Sequence, residues 1–74
     1  MRYRVKKGVV LFAMLGKDYL FPSRESGVKL GMLIALPEEL AALLRTGGDP
    51  QGLGKEMLEK LHRYEKLGFV EECP

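Results

Sequence analysis

The sequence predicts one α+β domain covering residues 1–74, in which a three-stranded antiparallel β-meander is followed by two helices or three. The first half of the chain holds short apolar runs rich in β-branched and aromatic residues, separated by turn residues, as expected for strands. The second half repeats its apolar residues every three to four positions, which is typical of amphipathic helices. A length of 74 residues, with 46% hydrophobic and 30% charged residues, fits one folded domain.

The first two strands are predicted to form a β-hairpin. Val9–Leu15 is an apolar run that begins with β-branched and aromatic residues, so it favours a strand. Tyr19–Phe21 resumes the pattern after the polar break at Gly16–Asp18, which we interpret as the turn. Pro22 has no backbone N–H to donate to a ladder and is therefore expected to end the second strand.

The third strand and the first helix are predicted on either side of Pro37. Leu30–Leu36 is apolar but too short for a typical amphipathic helix, so we interpret it as the third strand. Pro37 suits the first position of a helix, and Glu38 and Glu39 suit the positive end of its dipole. Gly47 and the glycine after it supply the left-handed cap that ends this helix.

A second helix is predicted over about residues 54–67. Its charged residues occupy one side, and its apolar residues share the other. The apolar residues are Leu53, Met57, Leu58, Leu61 and Tyr64. Gly68 ends this helix, and Phe69 and Val70 are expected to form a short tail that returns to the core.

Residues suited to catalysis are few, and we expect a non-catalytic protein without a cofactor or a metal site. An enzyme needs a nucleophile, an acid–base pair or a metal. His62 is the single histidine and Cys73 the single cysteine, which leaves too few ligands for a metal site. No apolar run approaches the roughly 20 residues of a membrane-spanning helix. The N-terminus lacks a signal-peptide cleavage site, so we expect a cytoplasmic protein without a membrane partner.

Nucleic acid is the less favoured partner. A net charge of +2 is modest for a domain of this size. The densest basic cluster, Arg2–Lys7, is interpreted as a solvated strand or arm. A DNA-binding winged helix stays open as an alternative, although the short segment between the predicted helices disfavours the helix that must precede a recognition helix.

The predicted sheet is apolar on both faces and has an unprotected edge. Two short helices cover one face, which leaves apolar residues of Val9–Leu15 for a second covering surface. The predicted third strand carries no charge between Leu30 and Leu36 to oppose pairing with another chain. An added peptide strand, a partner chain and a self-associating second copy each fit this surface, as does cover by the N-terminal arm or the Phe69–Val70 tail.

Two segments of the chain stand out together with the element order. The first is Leu36–Leu44, which reads LPEELAALL, and the second is Tyr64–Glu71, which reads YEKLGFVE. With the meander before them, these segments resemble the PqqD-like family. Members of this family have a winged-helix-like fold of three strands and three helices. They bind the leader of a ribosomally synthesised precursor peptide and present it to a modifying enzyme, often a radical SAM enzyme.

The resemblance implies a peptide-binding site between the third strand and the last helix, because in the family the leader adds as a strand there. The matching strand residues are Lys29, Leu30, Gly31, Met32, Leu33, Ile34 and Ala35, and the matching helix residues are Met57, Leu58, Leu61 and Tyr64. Lys29, Lys60, Arg63 and Lys66 would attract an acidic leader. The chain departs from the family between Arg45 and Gly54, where the middle helix is missing or reduced to a turn.

Overall fold

The computed structural model describes residues 2–28 and 33–73. Within these ranges the chain has an α+β fold of two small sheets and two α-helices. The strands are β1 (Arg2–Val5), β2 (Val9–Met14), β3 (Lys17–Pro22), β4 (Ile34–Leu36) and β5 (Val70–Cys73), and the helices are α1 (Glu38–Thr46) and α2 (Lys55–Leu67).

The predicted meander is confirmed as an antiparallel sheet in the order β2-β3-β4. Its hairpin turns at Leu15 and Gly16, whose φ angles of 52° and 77° are both positive, as a two-residue type I′ turn requires. The prediction placed the turn at residues 16–18, but Lys17 and Asp18 already belong to β3. The part of the predicted third strand that precedes Leu33 lies outside the described residues.

A second sheet joins the two ends of the described chain and was not predicted. β1 pairs antiparallel with β5, so that Tyr3 lies opposite Glu72 and Arg4 opposite Glu71. The Arg4 guanidinium contacts the Glu71 carboxylate at 2.7 Å, and this hydrogen bond raises the Arg4 pKa. The tail after Gly68 therefore contributes a strand as well as apolar residues to the core.

Both predicted helices are present, with ends close to those expected. Pro37 is the N-cap of α1 rather than its first helical residue, and Gly47 caps its C-terminus in the left-handed conformation. Gly54 and Gly68 flank α2 in the same roles. Between the helices the chain forms one 3₁₀ turn at Pro50–Gly52 and no further α-helix within the described residues.

The core lies between the helices and one face of the meander. It joins residues of both sheets and both helices, namely Tyr3, Val9, Leu20, Leu36, Leu40, Ala41, Leu44, Leu61, Tyr64, Phe69 and Val70. The other face of the meander, called here the outer face, carries Val10 opposite Phe21 and Phe12 opposite Tyr19. Val10, Met14 and Phe21 on this face are exposed, so the tail does not cover it.

Candidate functional site

Within the described residues, one side of the β4 backbone is unpaired. The hydrogen-bond pattern of the meander determines which residues of β4 point their N–H and C=O groups to that side. The Ser23 N–H donates to the Gly8 carbonyl at 2.8 Å, which makes alternate pairs of the β2–β3 ladder, including Phe12 with Tyr19, the hydrogen-bonded ones. Tyr19 therefore directs its backbone groups towards β2. Ala35 lies opposite Tyr19 on β4, so its N–H and C=O point away from the sheet.

The C-terminal end of this unpaired, open edge, at Pro37, offers no free backbone groups for pairing. Pro37 has no N–H, and its carbonyl accepts a hydrogen bond from the Ala41 N–H at 3.0 Å in the first turn of α1. Among residues 2–28 and 33–73, no strand pairs with the outward side of β4. The groups available to a new strand therefore begin at Ala35 and continue towards Leu33.

The predicted strand residues differ in what they offer at this edge. Leu33 is 45% exposed and Ala35 is exposed. Ile34 is half-buried and packs against the core. The predicted residues Lys29, Leu30, Gly31 and Met32 lie outside the described residues. The edge thus presents outward backbone groups with a small side chain at Ala35 and an apolar one at Leu33.

The predicted helix residues do not form one exposed groove. Leu61 is fully buried and Tyr64 is buried, because the apolar stripe of α2 faces the core. Burial also raises the pKa of the Tyr64 hydroxyl, since the charged phenolate is poorly solvated there. Met57 and Leu58 are half-buried and retain some accessible surface. Of the four predicted side chains, these two are the ones with appreciable accessible surface.

Val28, the last described residue before the gap at 29–32, lies beside the C-terminal end of α2. A Cβ atom built on Gly68 would lie 3.3 Å from Cγ2 of Val28, so these two residues are in close approach. Val28 is anchored by its N–H, which donates to Oγ of the buried Ser26 at 3.1 Å. This contact holds Val28 against the C-terminal end of α2.

An aromatic patch on the outer face adjoins the open edge and was not assigned as a site from the sequence. The rings of Phe12 and Tyr19 stack with their centroids 5.7 Å apart and an angle of 30° between the planes. Tyr19 lies between Phe12 and Ala35 across the three strands. The alternation of large apolar residues at Val10, Phe12 and Met14 was the sequence signal for this patch.

A shallow cavity of about 290 Å³ lies on the exposed side of α2. It is lined by Glu59, His62, Arg63 and Lys66, which recur at helical spacing on one face. Two cationic side chains against one carboxylate make the cavity net basic. Within the described ranges, no three His, Cys, Asp or Glu residues come together as metal ligands would.

The edge is attached to the helical layer by an ion pair at its base. The Arg45 guanidinium of α1 contacts the Asp18 carboxylate at 2.6 Å. Asp18 lies opposite Leu36, the last residue of β4. This ion pair and the burial of Leu36 fix the C-terminal end of the edge relative to α1.

Comparison of the chain with protein-family models, curated proteins and solved structures gave no match. In the part of the chain that the structure describes, neither helix has the length and apolar character that crossing a bilayer demands.

Proposed function

We propose that this chain is a non-catalytic peptide-binding module that captures an extended peptide as an additional strand on the open edge of β4. The observation that carries the proposal is the outward direction of the Ala35 N–H and C=O, which have the geometry of one rung of an antiparallel or parallel ladder. Main-chain pairing of this kind gives affinity, while pockets for alternate side chains give specificity.

The peptide proposed as the ligand is the leader of a ribosomally synthesised precursor. The resemblance to the PqqD-like family supports this choice, as does the three-stranded antiparallel meander followed by two helices. As part of the proposal, this arrangement is a truncated winged-helix-like fold whose middle helix is reduced to a turn. In this role the chain presents the leader to a cytoplasmic modifying enzyme, such as a radical SAM enzyme, and needs no cofactor of its own.

Charge favours a leader with acidic residues. Arg63 and Lys66 line the basic cavity on α2 and are exposed, and the chain carries a net charge of +2. Exposed charges of this kind accelerate encounter and are screened by salt, whereas backbone pairing is not. Met57 and Leu58 complete the proposed site as half-buried apolar contacts, while Leu61 and Tyr64 support it from the core.

An amide NMR titration tests the proposal. The labelled protein is titrated with a synthetic leader from a precursor peptide encoded beside its gene, at low and at physiological salt. We expect shifts at Leu33–Leu36 and in β3, and these shifts should persist at the higher salt. The control is the same leader with alternate backbone nitrogens methylated, which keeps the side chains but removes the strand donors.

Two outcomes would overturn the proposal. Equal binding of the methylated leader would show that backbone pairing is not the mode of recognition. Absence of shifts with the leader, together with salt-sensitive shifts on titration with duplex DNA, would instead support the winged-helix DNA-binding alternative, because binding to phosphates weakens steeply with salt.

A further inference from the structure

The opposite edge of the meander, formed by β2, is longer than the β4 edge and equally unprotected. It runs over Val9–Met14 without a charge or a proline. Within residues 2–28 and 33–73, β2 pairs with β3 alone. Proteins usually protect an edge of this kind with charges, bulges or a covering segment, because it is a template for pairing with another chain.

The ladder of the hairpin determines which backbone groups this edge exposes. Because Val10 and Phe12 are bonded to β3, the residues between and after them, Leu11 and Ala13, direct their N–H and C=O away from the sheet. Val9 is excluded from further pairing, since its N–H already donates to the Lys6 carbonyl at 3.0 Å. Leu15 is excluded as well, because its φ of 52° belongs to the turn.

We infer that β2 pairs antiparallel with β2 of a second copy of this chain about a two-fold axis at Phe12. This register places Leu11 of each copy opposite Ala13 of the other, so that all the outward backbone groups of these residues find partners. Moving the register towards the start of β2 would need the N–H of Val9, and moving it towards the end would need Leu15. The exposed β2 edges of two copies therefore pair all the outward groups of Leu11 and Ala13 in one register.

The side chains of the outer face suit the same register. Phe12 meets its own copy across the axis as a non-hydrogen-bonded pair, in which opposed side chains come closest. Each Phe12 is already stacked on Tyr19 at 5.7 Å, so pairing forms a continuous row of four rings. Val10, which is 50% exposed, meets Met14 of the other copy, which is 46% exposed. Cross-strand aromatic and apolar pairs of this kind stabilise a sheet.

The dimer has a consequence for the β4 edges but does not depend on the proposed peptide function. Joining two meanders at β2 gives one six-stranded sheet with both sets of helices on the same side. The two β4 edges then lie at the far ends of that sheet, open and independent. A protein assembled in this way binds one strand at each end, so two ligands are held by each dimer.

Analytical ultracentrifugation of the full chain from about 1 μM to about 1 mM tests the inference, since dimers form by mass action. We expect the mass to rise from 8.3 kDa towards twice that value. Ala13→Pro removes an outward N–H of β2 and should weaken dimerisation at least about tenfold. Ala35→Pro, the same substitution on the β4 edge, should dimerise as the unmodified chain does.

A second variant covers the case in which Ala13→Pro fails to fold. Phe12→Lys leaves the backbone intact and brings two like charges together at the axis, so it should also hold the chain as a monomer. The inference is wrong if the unmodified chain stays at 8.3 kDa throughout. It is also wrong if Ala35→Pro alone abolishes dimerisation, because the copies would then meet at β4.

Discussion

Ala35 lies opposite Tyr19 in the β3–β4 ladder, and because Tyr19 directs its backbone groups to Phe12, the Ala35 N–H faces away from the sheet. Its neighbour Ile34 lies opposite Leu20 and directs its N–H inward. The two adjacent residues therefore have opposite roles. Ile34 holds β4 in the sheet, whereas the outward groups of Ala35 are those with which the proposed peptide strand would pair.

Proline substitution at these two positions should separate the roles. Ile34→Pro removes a donor of the internal ladder and leaves the Leu20 carbonyl unpaired, which we expect to cost about 1–3 kcal/mol of stability. Ala35→Pro removes an unused donor and should change the free energy of unfolding by less than about 1 kcal/mol. Urea unfolding measures both. Equal destabilisation by the two substitutions would contradict the hydrogen-bond pattern of β4.

The burial of Leu61 predicts a core role rather than a ligand contact. Leu61 is 0% exposed, whereas Leu67 on the same helix is 40% exposed. Leu61→Ala should therefore destabilise the fold by about 2–5 kcal/mol, because it leaves a cavity. Leu67→Ala, the matched control, should cost less than about 1 kcal/mol. If thermal or urea unfolding showed that the two variants lose similar amounts of stability, the apolar stripe of α2 would not face the core.

Gly8 and Gly16 both adopt positive φ, but only Gly8 is closely packed. A Cβ at Gly8 would lie 2.4 Å from the Ser26 nitrogen, whereas nothing lies within 4 Å of a Cβ at Gly16. Gly16→Ala should cost about 1–2 kcal/mol from the left-handed backbone alone. Gly8→Ala adds a clash with backbone and should destabilise the protein clearly more. Similar stabilities of the two variants would contradict this close approach.

Alkaline pH should weaken the fold through Tyr3. Burial raises the pKa of the Tyr3 hydroxyl above 10.0, with the carboxylates of Glu65 and Glu72 as further causes. The stabilisation is full below the ordinary tyrosine pKa and is lost as the pH rises through the raised one. Tyr3→Phe removes this titration, so the variant should lose less stability than the unmodified chain as the pH rises from about 9 to about 11.

Urea unfolding at several pH values measures this difference. Tyr64 also has a raised pKa because of burial, and it titrates in both proteins, so the comparison isolates Tyr3. Parallel losses of stability in the two proteins would contradict the role of Tyr3. At neutral pH the two should differ by less than about 1.5 kcal/mol, which corresponds to the hydrogen bond to Glu65.

Local rules predicted much of the fold. β3 ends at Pro22, and α1 and α2 end at their caps, Gly47 and Gly68. Each of these ends depends on the backbone properties of a single residue, so it could be predicted from the sequence. The β1–β5 sheet could not, because it pairs the two ends of the chain and no local pattern specifies that contact. The turn at Leu15 was missed because leucine seldom adopts positive φ.

The site could be predicted in part. The lack of charge before Pro37 indicated an open edge, and the β4 edge lies there. The direction of the Ala35 backbone depends on the register of two ladders, which no single segment specifies. Leu61 and Tyr64 were assigned to a groove from the family resemblance, but the face of α2 that carries them is the one the core buries.

Calorimetric titration of Ala35→Pro and Ala13→Pro with the synthetic leader tests the central claim most directly. Each substitution removes one outward N–H from an exposed alanine, on the β4 edge in the first case and on the β2 edge in the second. Circular dichroism first establishes that both variants are folded. If the leader adds to β4, Ala35→Pro should bind at least about tenfold more weakly, while Ala13→Pro should retain the affinity of the unmodified chain. Unchanged affinity of a folded Ala35→Pro variant would contradict capture on this edge.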